Sequence, residues 1–422
     1  MFALSKFKKL FKSQDITRLM GNFFSLSILK IFNLILPLVT LPYLIKILGF
    51  EYYGIIFFAL ALISYFQTII DYGFNLSATR EVARHRHSLK QLSYIYSKTV
   101  CSKLILLTGS LIFLFFTILF FEKFRNDFVI YLLMCLILIG QTMFPEWFFR
   151  GVEQMKYITI LDLSVKIIFT LGVFLFINEP EDYWLYPLIF GTGYICVTVL
   201  SYIFINKKFK INFYFVDKSI IRSSLKNGFP LFINQFMPNF YNNTTNFLVG
   251  GVLGNYSMGV FGAIRQIVAF LNVFNSVVST VFFPYLIRFK EKFYLYSKVY
   301  ICLFFIVTFF IYSLHSFIFK LIGIKYENAS IIFLILIAGV MSVVVYNVYA
   351  TNYLIARGYD RLVMKITFLV SLFGLVASYP LIKYFGLIGG AINIFSCQFI
   401  LGITAFLMFK RIEIQKVKCV KV

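Results

Sequence analysis

Seven charged residues of this 422-residue chain fall within long apolar stretches or at their rims: Lys30, Lys103, Lys166 and Arg265, and the acids Asp71, Glu146 and Asp162. A charge at the centre of a membrane-crossing helix costs about 2.5–3.5 kcal/mol, so each needs a partner, water or a ligand. Lys30 lies about eleven residues into the first apolar run; at a helical rise of about 1.5 Å per residue it is about 16 Å deep, near the bilayer midplane. Arg265 lies about nine residues into the eighth run, about 13 Å from its nearer end. Neither has an acid one turn away on its own helix. Helix carbonyls and polar neighbours could satisfy both. Alternatively they line a water-filled cavity and attract an anion, and ammonium and guanidinium groups both bind phosphate oxygens.

The remaining charges have local explanations. Glu146 with Arg150, and Asp162 with Lys166, are spaced i,i+4 with the acid first, the arrangement that forms intrahelical pairs. Asp71 lies at a helix end near Arg80 and Lys103, where a salt bridge could close one side of a transport path; a proton or sodium site is the sharper alternative. Lys103 is close enough to that end to snorkel to the surface. The seventh apolar run carries Asn234, Gln235, Asn239, Asn242, Asn243 and Asn246 with Pro230 and Pro238, and the first carries Asn22, Asn33, Pro37 and Pro42. Proline at such positions kinks a helix. The amides, Asn33, Asn239, Asn242 and Asn246 among them, suit sugar hydroxyls because each both donates and accepts, and equally suit interhelical hydrogen bonding.

The elements that must position these residues are membrane spans. The chain is 60% hydrophobic and 14% charged, against about 45–50% and 25% for a soluble domain, leaving too little polar surface to cover a soluble fold. Runs of about 20 apolar residues recur twelve times, near 19–47, 52–75, 98–121, 127–149, 157–178, 183–205, 226–253, 256–287, 299–322, 329–355, 362–383 and 386–409. The first is too long for a signal-peptide core and is expected to stay as a span. With the N-terminus placed in the cytoplasm, cytoplasmic segments hold 30 Lys and Arg and the opposite side 6, a positive-inside split that puts both termini in the cytoplasm. The net charge of +23 is thereby explained by topology and an anionic leaflet, with no need for nucleic acid. The six cysteines are scattered and read as small buried hydrophobes, and no metal site or other cofactor is indicated. Connecting loops are too short for a soluble catalytic domain, so the function is exercised inside the membrane and no enzyme activity is expected.

The landmarks repeat. Leu48-Gly49-x4-Gly54 recurs as Leu253-Gly254-x4-Gly259, and Arg150-Gly151 as Arg357-Gly358, at offsets of 205 and 207. Six spans per repeat make the halves parallel, 1–210 and 211–422, a transporter geometry whose substrate path lies between halves.

Beyond these patterns, the chain resembles the O-antigen flippase (Wzx-type) polysaccharide transporters, within the superfamily that includes the MATE exporters. The likeness runs through Asp71-Tyr72-Gly73-Phe74-Asn75, Ala78-Thr79-Arg80-Glu81-Val82-Ala83, the segment from Pro145 to Met155, Leu225 to Phe232, and Gly259 to Arg265. It implies an all-α integral membrane fold of about twelve helices in two six-helix bundles. It also implies alternating-access export of undecaprenyl-diphosphate-linked oligosaccharide across a bacterial inner membrane through a cationic cavity. That cavity agrees with Lys30 and Arg265 as substrate-binding residues. The partners implied are the lipid-linked oligosaccharide, membrane lipids, and a glycan polymerase with a chain-length regulator. The alternative is a cation-coupled multidrug exporter of the MATE type. The chain departs from the family in span 7, where an acidic residue is frequent and this sequence has Asn242, Asn243 and Asn246; ion coupling through that span is thereby put in doubt.

Overall fold

The computed structural model describes residues 14–288 and 290–420, and among them every regular element is helical. The basic N-terminal segment, with Lys6, Lys8, Lys9 and Lys12, and Lys421 lie outside the described residues. In chain order the helices are α1 (Gln14–Asp71), α2 (Phe74–Arg84), α3 (Leu89–Phe120), α4 (Glu122–Asn126), α5 (Phe128–Met143), α6 (Glu146–Gly151), α7 (Met155–Phe176) and α8 (Leu185–Phe209). Then follow α9 (Lys218–Phe236), α10 (Asn239–Leu253), α11 (Asn255–Arg288), α12 (Phe293–Ser313), α13 (His315–Ile322), α14 (Ala329–Tyr346) and α15 (Asp360–Val420).

Nine helical stretches among the described residues are long and apolar enough to cross a bilayer. Two of them are far too long for one crossing. Ile28–Arg84 and Arg361–Gln415 run for 57 and 55 residues, against about 20 needed. Each is broken at a glycine: Gly49 has φ 68° and ψ 174°, and Gly386 has φ 57° and ψ −136°. Counting each as two spans, and the amide-rich pair α9–α10 as another, gives the twelve expected from hydropathy. The division between α9 and α10 falls at Pro238, which caps the start of α10.

The outer faces are those of a lipid-solvated protein. On α3, Ile105, Ile112, Phe113, Phe116 and Phe120 are all exposed, at helical spacing. Such a band would aggregate in water and is at home in hydrocarbon. Cysteine follows the same logic. Cys101 and Cys397 are buried, but Cys196 and Cys302 are exposed, which corrects the reading of all the cysteines as buried; those two fall on outward helix faces.

The chain gathers into two compact units. The first comprises residues up to Leu36 together with Ile63–Gln235, and the second Pro37–Leu62 together with Phe236 onward. In the first, α5 and α8 pack through glycines: a Cβ on Gly140 would lie 2.6 Å from Tyr194 Cβ, and one on Gly191 2.6 Å from Leu136 Cβ. Small residues allow this close approach, which supplies dispersion contact where lipid offers no hydrophobic drive. In the second unit an aromatic core of Phe293, Tyr296, Tyr300, Phe304, Tyr353 and Phe409 is buried.

The second unit also shows what the repeated L-G-x4-G builds. Gly49 and Gly254 share one backbone conformation, with ψ of 174° and 176°. A Cβ on Gly54 would collide with the Asn255 carbonyl, and one on Gly259 with the Phe50 carbonyl. Residues 54 and 259 are equivalent by the repeat, as are 50 and 255, so the contact is reciprocal. Gly262 packs on the ring of Phe57, its own equivalent. Reciprocal contacts of this kind define a local two-fold axis.

Candidate functional site

Lys30 is half-buried on α1 and forms no hydrogen bond or ion pair with any described residue. The Arg150 guanidinium is within electrostatic reach of it, but that charge is already balanced. Arg150 Nη2 donates to Glu146 Oε1 at 2.5 Å and Nε to the same oxygen at 3.1 Å. Lys30 is therefore a cation without a counter-ion among the described residues.

One turn along, Asn33 is bound into a different network. The Lys166 ammonium donates to Asn33 Oδ1 and, at 2.5 Å, to Asp162 Oδ2. Asp162 accepts a second hydrogen bond from the Tyr194 hydroxyl at 2.6 Å. The pair is thus intrahelical, as its spacing predicts, but extended across helices by a tyrosine and an amide. Sequence patterning does not mark Tyr194; its one signal is a hydroxyl-bearing ring inside an otherwise apolar run.

Lys103 does not snorkel. Only 2% exposed, it donates at 2.7 Å to Asp71 Oδ1 and at 2.7 Å to the Thr142 carbonyl. An ammonium that finds a carboxylate and a helix-end carbonyl on the protein side has no reason to extend outward. Thr142 is two residues before Phe144, the position that ends α5, so its carbonyl is one of the last-turn acceptors a helix leaves unpaired. Arg80 stands apart, exposed on α2 with no ion pair among the described residues.

In the second unit Arg265 projects from α11 toward α10. Its Nη1 donates to the Asn242 carbonyl at 3.2 Å and to Asn246 Oδ1 at 2.7 Å. These occupy two of the five guanidinium N–H groups, and the other three have no partner among the described residues. Asn246 is 7% exposed and fixed by this contact. Asn242 donates its side-chain amide at 3.4 Å to the Pro238 carbonyl, which also accepts the Asn242 backbone N–H at 3.3 Å, and Asn243 donates to Asn239 Oδ1 at 2.9 Å. The amides of α10 therefore form a ladder along one helix, and part of it holds Arg265. No carboxylate among the described residues pairs with that arginine.

Two features escape sequence reasoning altogether. Residues Asn347–Leu354 form a π-helical segment that brings Asn352 inward, where its amide donates to the Tyr296 hydroxyl at 2.5 Å and Ser279 Oγ at 3.1 Å. The other is the junction of the two most family-like stretches. Thr79 Oγ1 donates to the Trp147 carbonyl at 3.1 Å, and a Cβ on Gly151 would press against Val82.

The model of the family described as polysaccharide biosynthesis protein matches residues 19–290. The chain belongs to that family. It is 27% identical over 400 residues to a protein of Escherichia coli (strain K12) described as a candidate O-antigen transporter, covering 92% of this chain and 96% of that one. A Shigella dysenteriae protein of the same description is 27% identical over 232 residues, covering 55% and 58%. Among solved structures, a multidrug resistance MATE family transporter of the MOP superfamily, in an inward-facing conformation, superposes with a TM-score of 0.67 at 14% identity, covering 92% and 96%. A MATE crystal structure determined as a complex superposes at 0.53 with 13% identity, covering 96% of this chain and 99% of that one. The fold is thus an all-α, MATE-type membrane fold. Family and fold together make the chain a multi-pass membrane transporter and not an enzyme.

Proposed function

We propose that this transporter flips undecaprenyl-diphosphate-linked oligosaccharide repeat units, of O-antigen or a similar surface polysaccharide, across the bacterial inner membrane by alternating access. Both termini are cytoplasmic in this reading, as the basic residues require. The observation that carries it is two cations with unmet electrostatic demand: among the described residues Lys30 has no counter-ion and Arg265 has three unused donors. A diphosphate supplies the anion each lacks, while Asn33, Asn239, Asn242 and Asn246 offer amide contacts to the glycan. The polyprenyl tail stays in lipid. The two bundles, 1–210 and 211–422, exchange access by responding to differential substrate affinity, with Asp71 and Lys103 closing one side. Arg80 is assigned to the same closure. A glycan polymerase and a chain-length regulator act beside it.

A drug exporter that couples to cations calls for an acidic lumen. The deep acid of the first unit, Asp162, is already neutralised by Lys166, which favours the anionic substrate.

The test is genetic. Deleting the gene in its native host removes surface glycan, and wild type restores it, whereas well-expressed Lys30→Ala and Arg265→Ala do not. Glycan that persists in the deletion strain, with no second flippase to explain it, sinks the proposal.

A further inference from the structure

The first unit contains a cavity of about 440 Å³ that none of the deep residues lines. Three helices build it: α2 and α3, which are consecutive in the chain, and α9, which is far from both in sequence. From α2 come Ser77, Arg80, Glu81 and Arg84, spaced so that they share one face. From α3 come Tyr94, Lys98 and Thr99, and from α9 a stripe of short polar residues, Ser219, Ser223, Ser224 and Asn227, above Gly228.

The charges in it are unbalanced. Lys98 is paired with Glu81 at 2.6 Å. Arg80 and Arg84 are exposed, one turn apart on the same face, and neither has an acidic partner among the described residues. Like charges at that spacing repel, a cost that a bound anion would reverse. The hydroxyls of Ser219, Ser223 and Ser224 and the amide of Asn227 make no hydrogen bond with any described residue, although serines in helices commonly bond back to the preceding turn. Positive-inside topology accounts for arginines at a membrane surface but not for an uncommitted row of hydroxyls facing them across a cavity. The volume lies in the range of about 300–1,000 Å³ usual for small-ligand pockets.

We infer that this cavity is a second anion site, which binds a phosphate ester through Arg80 and Arg84 on one wall and Ser219, Ser223 and Asn227 on the other. Guanidinium forks take the phosphate oxygens, the hydroxyls donate to those that remain, and the Lys98–Glu81 pair fixes the floor. Two sources at a membrane surface carry this chemistry: the headgroup of an anionic phospholipid, and the diphosphate of a lipid-linked carrier. The site stands on its own geometry, whether or not the proposed substrate is correct.

The test uses the purified full chain in phosphatidylcholine nanodiscs. Thermal stabilisation is titrated with inorganic diphosphate and, separately, with short-chain phosphatidylglycerol, against short-chain phosphatidylcholine. One or both anions should stabilise the protein, and the tighter one identifies the source. Arg80→Gln with Arg84→Gln should weaken that probe at least tenfold, about 1.4 kcal/mol. Ser223→Leu, which fills the cavity from the opposite wall without changing charge, should do the same. Lys90→Gln with Arg222→Gln removes two exposed basic residues outside the cavity and should leave binding unchanged. No stabilisation by either anion overturns the inference. So does equal weakening in the Lys90 and Arg222 variant, since it would mean that surface charge alone attracts the probe.

Discussion

Removing the Asp71 carboxylate should destabilise the protein more than removing its partner. The Lys103 side chain is 3% exposed and the Asp71 side chain 29%, and they meet at 2.7 Å. In Asp71→Asn the ammonium keeps only the Thr142 carbonyl and cannot reach water without disrupting α3. Breaking a buried pair by removing one partner typically costs about 3–5 kcal/mol, because the other charge stays buried and uncompensated. The amide retains one acceptor, so the lower end, about 3 kcal/mol, is expected. In Lys103→Met the surviving carboxylate can hydrate through its exposed side, and the loss should be about 1 kcal/mol. The double variant should resemble Lys103→Met alone, giving a coupling of about 3 kcal/mol, at the upper end of the range for contacting residues. Melting temperatures in detergent, followed by size-exclusion chromatography, give the ranking: Asp71→Asn lowest, Lys103→Met and the double variant together above it. A ranking with Lys103→Met lowest, or a double variant as unstable as Asp71→Asn, would refute the burial argument. The first would mean that Asp71 is the group in need of compensation, the second that Asp71 stabilises the protein through contacts other than Lys103.

Tyr194→Phe should cost about 1.5–3 kcal/mol, since it removes a hydrogen bond to a buried carboxylate; Lys166→Ala should cost more, and both are read by the same melting assay. Gly54→Ala and Gly259→Ala should be destabilised to similar extents, about 1–3 kcal/mol of overpacking each, because their collisions are equivalent; strongly unequal losses would contradict the local two-fold. In a cysteine-free background, His87→Cys should react with a membrane-impermeant maleimide in inverted vesicles and not in intact spheroplasts, and the reverse pattern would invert the topology proposed here.

Much of the fold is legible in the sequence because lipid imposes a simple rule. Runs of about 20 apolar residues must be helices, and the glycines of L-G-x4-G mark where paired spans break. The i,i+4 pairs at Glu146–Arg150 and Asp162–Lys166 are legible for a similarly local reason. What the sequence hides is direction and distance. Hydropathy places Lys103 at a depth from which it could turn either way, and only the position of Asp71 and the open end of α5 decides that it turns inward. Asn33 and Tyr194 meet Asp162 and Lys166 across three helices, at separations no periodicity encodes. The cavity between α2, α3 and α9 likewise depends on stretches more than 100 residues apart. The π-helical segment at Asn347–Leu354 carries no proline or glycine to announce it.

The packing of Phe57 on Gly262 has a consequence for how such a protein can be built. A side chain on a two-fold axis meets its own copy. In a dimer of identical chains that place must be filled by two phenylalanines, which would clash, or two glycines, which would leave a void. Joining both halves in one polypeptide lifts that restriction, and the pair becomes a knob and its socket. The axial contact is therefore one that a homodimer of half-length subunits could not make, and a chain cut between the repeats would keep it only by assembling unlike fragments.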